Sequence, residues 1–431
     1  MKQLLFVCIF FSALFRSQEI YKPVDTVNYA YRKGLVARFE EEKKAFLQSV
    51  RSESSDKRKA YTKIYTNIFD GLISNANDNE IYAYPKLEDY IKSIVSEFSS
   101  YQDKANNLKI LISRDETKNA YMTLNGTLIF NQNFLTILEN ENQLAAVLAH
   151  ELGHNILDHS KTKIDKYVQI STDEELISEA RQIKKQKFNK SKEAEALLKN
   201  LVYTSQKKRR EDEIGADKKA LEILKPTRYS TSEISNLLKI LETSDIEKDS
   251  LTIEDFRKML TLPGETLDAK LFSGETSSEY TSIEENFYKW NIDSLKTHPS
   301  CQERIVTVNL LEGNQSPVFE KNHQRFQELK KSAELENINN AFALKNYGRS
   351  LYFTLIYLKK NPDDIFARNM LAENLKQLKT ARETKNYGKY IIFPNPKEHS
   401  KSEQLFYTFF DNMSNTYLNK LVNHFTQKNI P

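Results

Sequence analysis

The sequence predicts an α+β fold that is mostly helical, with one small β-sheet and a helical C-terminal region. Glycine and proline are scarce, at ten residues each among 431, which favours helices over turns. Apolar residues recur at helical spacing along most of the chain. Short runs at 108–112, 120–124 and 127–130 have the composition of strands, and Asn125-Gly126 between the last two is a strong hairpin signal. These strands therefore predict one small sheet beside a largely helical body.

The first 17 residues have the form of a secretory signal. Lys2 supplies a positive start, and the apolar run from Leu4 to Phe15 is short for a membrane span. We expect cleavage near Ser17 and export of the mature protein; the alternative is an uncleaved N-terminal anchor. No later apolar run has transmembrane length, so we expect no transmembrane segment in the mature chain.

Composition and the positions of glycine and proline divide the rest of the chain into predicted domains. Residues 18–78 are highly charged and predict two helices, and residues 79–312 carry the strands and the motifs described below. Glycine and proline near 313–317 predict a linker over 313–335. Residues 336–431 predict further helices whose pairing is similar to tetratricopeptide (TPR) repeats, of which at most one or two degenerate copies are expected.

Charge and cysteine content narrow the possible partners. The formal net charge is +4, and loss of Lys2 and Arg16 with the signal leaves +2, since 4 − 2 = 2. A balance so close to neutral gives no reason to expect a nucleic-acid partner. Cys301 would be the one cysteine left in the mature chain, so no intramolecular disulfide is expected.

Two histidines four residues apart form the central motif, H-E-L-G-H at 150–154. On a helix, His150 and His154 lie one turn apart on the same face, where two imidazoles can bind one Zn²⁺. Glu151 lies beside them as the candidate general base that takes a proton from water. Asn140 and Gln143 predict a capping box at the start of this helix. The alternative is a pair of helix histidines that bind no metal.

A zinc site with two histidines needs a third protein ligand. Glu213 lies in a helical stretch at 210–224, and Asp217 follows one turn later. This pair suits a carboxylate ligand and an acid that accepts the remaining N–H of a ligating histidine. Gly215 and Ala216 are small enough to let the two helices pack closely. Without the histidine motif, the same acids would indicate a solvated helix face.

Two histidines and an arginine need separate interpretations. Counted along a continuous helix, His159 lies nearly opposite His150, so we expect it at a helix end and away from the metal. His298 precedes a proline, which favours extended backbone and projects the ring from a loop. It would donate to an oxyanion or fill the fourth zinc position. Arg304 would bind a substrate carboxylate or carbonyl, or form a salt bridge with an acid of the fold.

The order of these motifs resembles metallopeptidase family 48, the gluzincins that include HtpX and the CAAX prenyl proteases. Within that family, the chain looks like the soluble periplasmic BepA-type proteases, which carry a TPR-like tail. The likeness covers roughly Pro85 to Leu311. The residues that carry it are Asn119-Ala120, Gly126 to Phe130, Gln143 to His154, Glu213 to Asp217, Thr297 to Ser300 and Glu303 to Ile305.

The resemblance implies a gluzincin zinc-peptidase domain at 79–312 with one Zn²⁺ per chain. The zinc ligands would be His150, His154 and Glu213, the catalytic residues Glu151, His298 and Arg304, and the acid that orients a ligand Asp217. In BepA-type relatives, the histidine equivalent to His298 can occupy the fourth zinc position and shut the enzyme down. The strand at Asn119 and Ala120 would align substrate at the sheet edge. The alternative for that strand is an ordinary hairpin that shields the core.

The expected function is zinc-dependent hydrolysis of peptide bonds in misfolded or stalled cell-envelope proteins. The enzyme would be periplasmic, or membrane-associated on the periplasmic side. Its partners would be protein or peptide substrates and, through the C-terminal helices, envelope assembly machinery. The alternative is a latent protease that acts mainly as a chaperone-like or scaffolding binding protein. The charged insertion at 160–206 would act as a lid over the cleft or as a plain helical embellishment.

Overall fold

The computed structural model describes residues 20–24, 28–185, 190–244, 251–273, 301–312, 323–392, 394 and 399–428, with the backbone alone at 190–206. The predicted signal at 1–17 and the motif around His298 lie outside these ranges.

Helices make up most of the described chain, as the sequence predicts. They are α1 (Tyr29–Ser49), α2 (Ser55–Asn77), α3 (Pro85–Val95), α4 (Gln102–Asn106), α5 (Glu141–Ile156), α6 (His159–Ser171), α7 (Glu174–Lys185), α8 (Lys190–Leu224), α9 (Ser232–Glu242), α10 (Ile253–Leu260), α11 (Cys301–Glu312), α12 (His323–Ala343), α13 (Tyr347–Lys360), α14 (Ile365–Glu383), α15 (Lys401–Asn412) and α16 (Asn415–Lys428). No helix within the described ranges combines the length and the apolar character that crossing a bilayer requires.

The strands form the one small sheet that the sequence predicts, within the described residues. They are β1 (Ile81–Tyr82), β2 (Lys109–Ser113), β3 (Ala120–Met122) and β4 (Thr127–Asn131), in the order β1-β2-β4-β3. Strands β2 and β4 run parallel, while β3 pairs with β4 as an antiparallel hairpin. Gly126 in the hairpin turn has a φ of 72°, a left-handed conformation that glycine adopts without strain. Strand β3 therefore lies at an edge of the sheet.

Both faces of the sheet are covered, because successive strand residues point to opposite sides. Leu111 and Ile129 pack against α1 and α2. Ile112 and Phe130 point the other way, into a core that includes residues of α3, α5 and α8. The strands are therefore held on both faces, which fixes the edge strand β3 relative to α5.

Helices α5 and α8 approach each other closely at Gly153. A Cβ atom added at Gly153 would lie 3.0 Å from the carbonyl oxygen of Ala216 and 3.2 Å from the Cβ of Lys219. A Cβ added at Gly215 would meet no atom nearer than 3.5 Å. Hence the glycine of the histidine motif, rather than Gly215, is the residue that the close packing requires.

Helix α12 joins two hydrophobic cores. Phe326 and Leu329 near its start lie in the same core as α5. Leu335 and Ile338, further along, lie in a second core with residues of α10 and α13 to α16. The predicted linker at 313–335 is therefore wrong from residue 323 onward, because apolar residues at helical spacing continue the helix and are buried. Residues 313–322 lie outside the described part of the chain.

The second core differs from the predicted domain division in one further respect. Phe256 of α10 is fully buried there, although residues 79–312 were assigned to the preceding domain. The further helices predicted over 336–431 include α13 and α14. The TPR-like character of this region stays a prediction.

Replacing Gly153 by alanine should destabilise the protein. Overpacking typically costs about 1–3 kcal/mol, and the better helix propensity of alanine offsets up to about 1 kcal/mol. We expect a net loss of about 1 kcal/mol in the free energy of unfolding, measured by urea denaturation of the metal-free protein. Gly71→Ala on α2 is the matched control, because a Cβ there meets nothing within 4 Å. A Gly153→Ala variant as stable as Gly71→Ala would contradict the close-packing account.

Candidate metal centre

Helix α5 begins at a side-chain cap and carries both motif histidines. The Asn140 side chain accepts a hydrogen bond from the backbone N–H of Gln143 at 3.0 Å, which confirms the predicted cap residue. The Gln143 side chain accepts from the N–H of Glu139 at 2.8 Å, one residue before the position that a capping box uses. Leu144, Leu148 and Leu152 are fully buried, and this apolar stripe fixes the rotation of the helix.

Three donor atoms converge between α5 and α8. The Nε2 atoms of His150 and His154 are 3.1 Å apart. The carboxylate of Glu213 lies 3.5 Å from Nε2 of His150 and 3.6 Å from Nε2 of His154. In a tetrahedral zinc site with bonds of about 2.0–2.1 Å, neighbouring ligand atoms are about 3.3 Å apart. The three side chains therefore fit one Zn²⁺, and they form the metal-sized cluster found among the described residues.

Asp217 holds the other nitrogen of His150. Its Oδ1 lies 2.9 Å from Nδ1 of His150, so the carboxylate accepts the Nδ1–H and leaves the Nε2 lone pair directed at the cluster. Arg304 donates to both oxygens of Asp217 at 2.7 Å. Burial opposes the charge, but the bonds from Arg304 and His150 hold the pKa of Asp217 below its usual value. This contact with a motif histidine is the one that the sequence predicts for Asp217.

Arg304 is paired with two acids, Asp217 and Glu213. Its side chain is 8% exposed, and its Nη1 lies 3.4 Å from Oε2 of Glu213 in addition to the two bonds to Asp217. Of the two roles that the sequence left open, these contacts are those of a salt bridge within the fold. Because the guanidinium fork is paired with a carboxylate, it fixes the position of α11 against α8.

The acids around the two histidines favour a positive charge between them. Burial alone would lower the pKa of His150, but hydrogen bonds to Asp217 and Glu213 outweigh burial and raise it to about 10. Burial and the neighbouring His150 lower the pKa of His154 to about 3. A proton on His150 and a cation between the ligands therefore compete for the same negatively charged environment.

Glu151 differs from an exposed surface carboxylate. Burial raises its pKa to about 7, and the charge of His150 and a backbone hydrogen bond from Met122 oppose that rise. A carboxyl group with a pKa near neutrality can both accept and release a proton at physiological pH. Glu151 thus combines the position next to the ligands with the proton affinity of a general base.

His159 does not lie where a continuous helix would place it. Helix α5 ends at Ile156, and Asp158 adopts a left-handed conformation with φ 51° that turns the chain. His159 begins α6, is 8% exposed, and its Nδ1 lies 2.8 Å from Nδ1 of His154. The predicted position at a helix end is confirmed, because His159 is the first residue of α6. The prediction that it lies opposite His150 and away from the metal site is wrong, although His159 is not among the three converging ligands.

The edge strand β3 lies beside the cluster. Asn119 and Ala120, the residues predicted to contact substrate, are at its start. The carbonyl of Asn119 accepts from the N–H of Asn131 at 3.1 Å, and the N–H of Thr123 donates to Thr127 at 2.8 Å. Because backbone groups alternate sides along a strand, those of Ala120 and Met122 face away from β4. The N–H of Met122 donates to Glu151, and its carbonyl accepts from the Ser160 hydroxyl at 3.5 Å. His298, the remaining predicted site residue, lies outside the described residues.

One class of zinc peptidase binds its metal through two histidines of an H-E-x-x-H helix and a carboxylate from a second helix. The arrangement of α5 and α8 is of this class. The sequence model described as Peptidase family M48 matches residues 85–311, which is more than half of the chain. The chain therefore belongs to peptidase family M48 and is a metallopeptidase. No curated protein matches the sequence.

Replacing Arg304 by methionine should destabilise the fold. The variant leaves Asp217, which is 1% exposed, without its guanidinium partner. Breaking such a buried pair typically lowers the free energy of unfolding by about 3–5 kcal/mol. Adding Asp217→Asn removes the stranded charge, so the double variant should regain part of that loss. Chemical denaturation of the metal-free variants measures both effects.

The control is Lys59→Met, which breaks an exposed ion pair with Asp56 on α2. Its expected cost is below about 1 kcal/mol. An Arg304→Met variant no less stable than Lys59→Met would show that the buried pair does not support the fold.

Proposed function

We propose that this protein is a zinc-dependent metalloendopeptidase in which Glu151 is the general base. The convergence of His150, His154 and Glu213 at zinc-ligand spacing carries the proposal. Family membership supports metallopeptidase chemistry. The raised pKa of Glu151, next to that cluster, supports its role in proton transfer.

His150, His154 and Glu213 would hold the metal. When bound, zinc would supply a Lewis acid that polarises the scissile carbonyl and makes water a better nucleophile. The Glu151 carboxylate takes a proton from the attacking water and delivers it to the leaving amine. Asp217 keeps the His150 ring oriented by accepting its Nδ1–H.

Two further catalytic roles from the sequence remain part of the proposal. His298 would donate to the oxyanion or cap the fourth zinc position, and it lies outside the described residues. Arg304 would act by holding Asp217 and Glu213 in place, since its guanidinium is engaged with both acids. Substrate binding by Arg304 would require it to leave a buried bidentate pair, which disfavours that role.

The proposed substrate conformation is an extended peptide added to the edge of the sheet at β3. The backbone groups of Ala120, which face away from β4, supply the pairing position. The N–H of Met122 donates to Glu151, which places this edge next to the base. An unfolded segment can adopt this conformation, whereas a folded helix cannot. We therefore include misfolded or stalled cell-envelope proteins among the proposed substrates, supported by the signal-like N-terminus.

Purified mature protein should degrade casein in a zinc-dependent manner. Glu151→Gln should keep its zinc but cleave at least about 100-fold more slowly than the wild type, because the amide cannot take a proton. A chelator should abolish the wild-type activity, and added zinc should restore it. If His298 caps the metal, His298→Ala should be more active than the wild type.

The informative comparison is between metal content and cleavage. If wild type, Glu151→Gln and His298→Ala all hold zinc and none cleaves an unfolded protein, the peptidase proposal fails. Retention of wild-type activity by Glu151→Gln would remove that residue as the base.

Pairing at the strand edge predicts an alternating sensitivity to backbone N-methylation of a peptide substrate. Successive N–H groups of a strand point to opposite sides, so methyl groups at every second position should weaken binding at least about 10-fold and those between should have little effect. Binding can be measured with zinc-loaded Glu151→Gln, which holds the peptide without cleaving it. Equal tolerance at every position would rule out strand pairing.

A further inference from the structure

The two histidines of the cluster have different partners on their outer nitrogens. Nδ1 of His150 lies on the carboxylate of Asp217, whereas Nδ1 of His154 lies 2.8 Å from Nδ1 of His159. Beyond His159, the carboxylate of Asp212 lies 3.7 Å from its Nε2. We propose that His159 and Asp212 are positioning residues that orient His154 as a zinc ligand, a proposal that rests on the zinc site proposed above.

The positions of the nitrogen atoms determine the proton arrangement. Nε2 of His154 faces the other donors, 3.1 Å from His150 and 3.6 Å from Glu213, so a metal ligand there carries its proton on Nδ1. That Nδ1–H can donate to His159 only if Nδ1 of His159 is unprotonated. The proton of neutral His159 then lies on Nε2, the nitrogen that faces Asp212.

Asp212 is suited to the end of this chain. It is 1% exposed, and neither carboxylate oxygen accepts a well-formed hydrogen bond from the residues that the structure describes. The Lys208 ammonium lies 3.2 Å from Oδ1 and compensates part of the charge. A buried carboxylate is stable only when paired, and the Nε2–H of His159, which faces the same Oδ1, is the second donor beside Lys208. A contraction of less than about 1 Å would make that contact a hydrogen bond.

Helix α8 thereby supports both histidines from one element. Glu213 is the ligand, Asp217 one turn later holds His150, and Asp212 just before Glu213 holds His154 through His159. The second arm runs through one more side chain, because His159 contacts His154 through Nδ1 and faces Asp212 through Nε2. The left-handed turn at Asp158 is what brings His159 back into that gap.

Zinc affinity separates this positioning role from ordinary packing. His159→Phe keeps a buried ring but removes both nitrogens, and loss of a partner of a ligating histidine typically weakens metal binding about 10–100-fold. His159→Asn keeps an acceptor near the Nδ1 position, so its zinc affinity should lie between that of His159→Phe and the wild type. Asp212→Asn should weaken zinc binding less than His159→Phe. The measurement is chelator competition for zinc with the full mature protein.

The matched control is His323→Phe, at an exposed position at the start of α12. It should leave zinc affinity unchanged. The rise in Tm on adding zinc provides a second readout, because a ligand that binds the folded state stabilises it in proportion to the logarithm of its affinity. The zinc-dependent rise should shrink in His159→Phe and persist in His323→Phe.

Three outcomes would overturn the inference, and they are distinguishable from failure of the proposed function. Wild-type zinc affinity in His159→Phe would show that His159 does not position His154. A Tm lowered equally in the metal-free and zinc-loaded forms, with affinity unchanged, would assign His159 a packing role only. If His159→Phe does not fold, His159→Asn at wild-type affinity together with Asp212→Asn at wild-type affinity overturns the relay. A wild-type protein without zinc affinity would instead refute the proposed function itself.

Discussion

The close packing of α5 against α8 is the constraint on which the metal centre depends. Two histidines on one helix supply only two ligands, and the third comes from a helix about sixty residues later in the chain. The carboxylate of Glu213 reaches the imidazoles because Gly153 lies nearly in contact with the backbone of Ala216. Gly153 in the histidine motif is therefore needed to assemble the site, although it has no side chain that could contact a metal or substrate.

Charge balance is the second constraint. Glu213, Asp217 and Asp212 place three carboxylates on α8 within a largely buried region, where isolated charges are unstable. Arg304 and Lys208 offset two of them, and the geometry of the three converging donors suits a cation at the centre. The same acids would attract a metal and orient the rings that hold it, so in the proposed site binding and orientation have a common electrostatic origin.

Local periodicity explains which features the sequence could predict. The spacing of His150 and His154, and of Glu213 and Asp217, is a property of a single helix, and the structure places these residues together as expected. The hairpin at Asn125-Gly126 was predictable for the same reason, because the turn chemistry lies within four residues.

Features that depend on breaks in periodicity were not predictable in this way. Counting the helix through Asp158 misplaces His159, because aspartate adopts the left-handed conformation seen there only occasionally and so gives no strong sequence signal for it. The linker was extended too far because burial of Phe326 against a distant core is a tertiary contact. The signal available for His159 was its spacing of five from His154, which becomes meaningful only once the helix is known to end.

The proposed site requires one Zn²⁺ bound jointly by α5 and α8. Anomalous diffraction at the zinc absorption edge, from crystals of the zinc-loaded protein, locates the ion. Joint binding predicts one peak about 2.0–2.2 Å from Nε2 of His150, Nε2 of His154 and a carboxylate oxygen of Glu213. A zinc peak at this helix whose coordination sphere lacks Glu213, or a peak bound elsewhere in the protein, would contradict it.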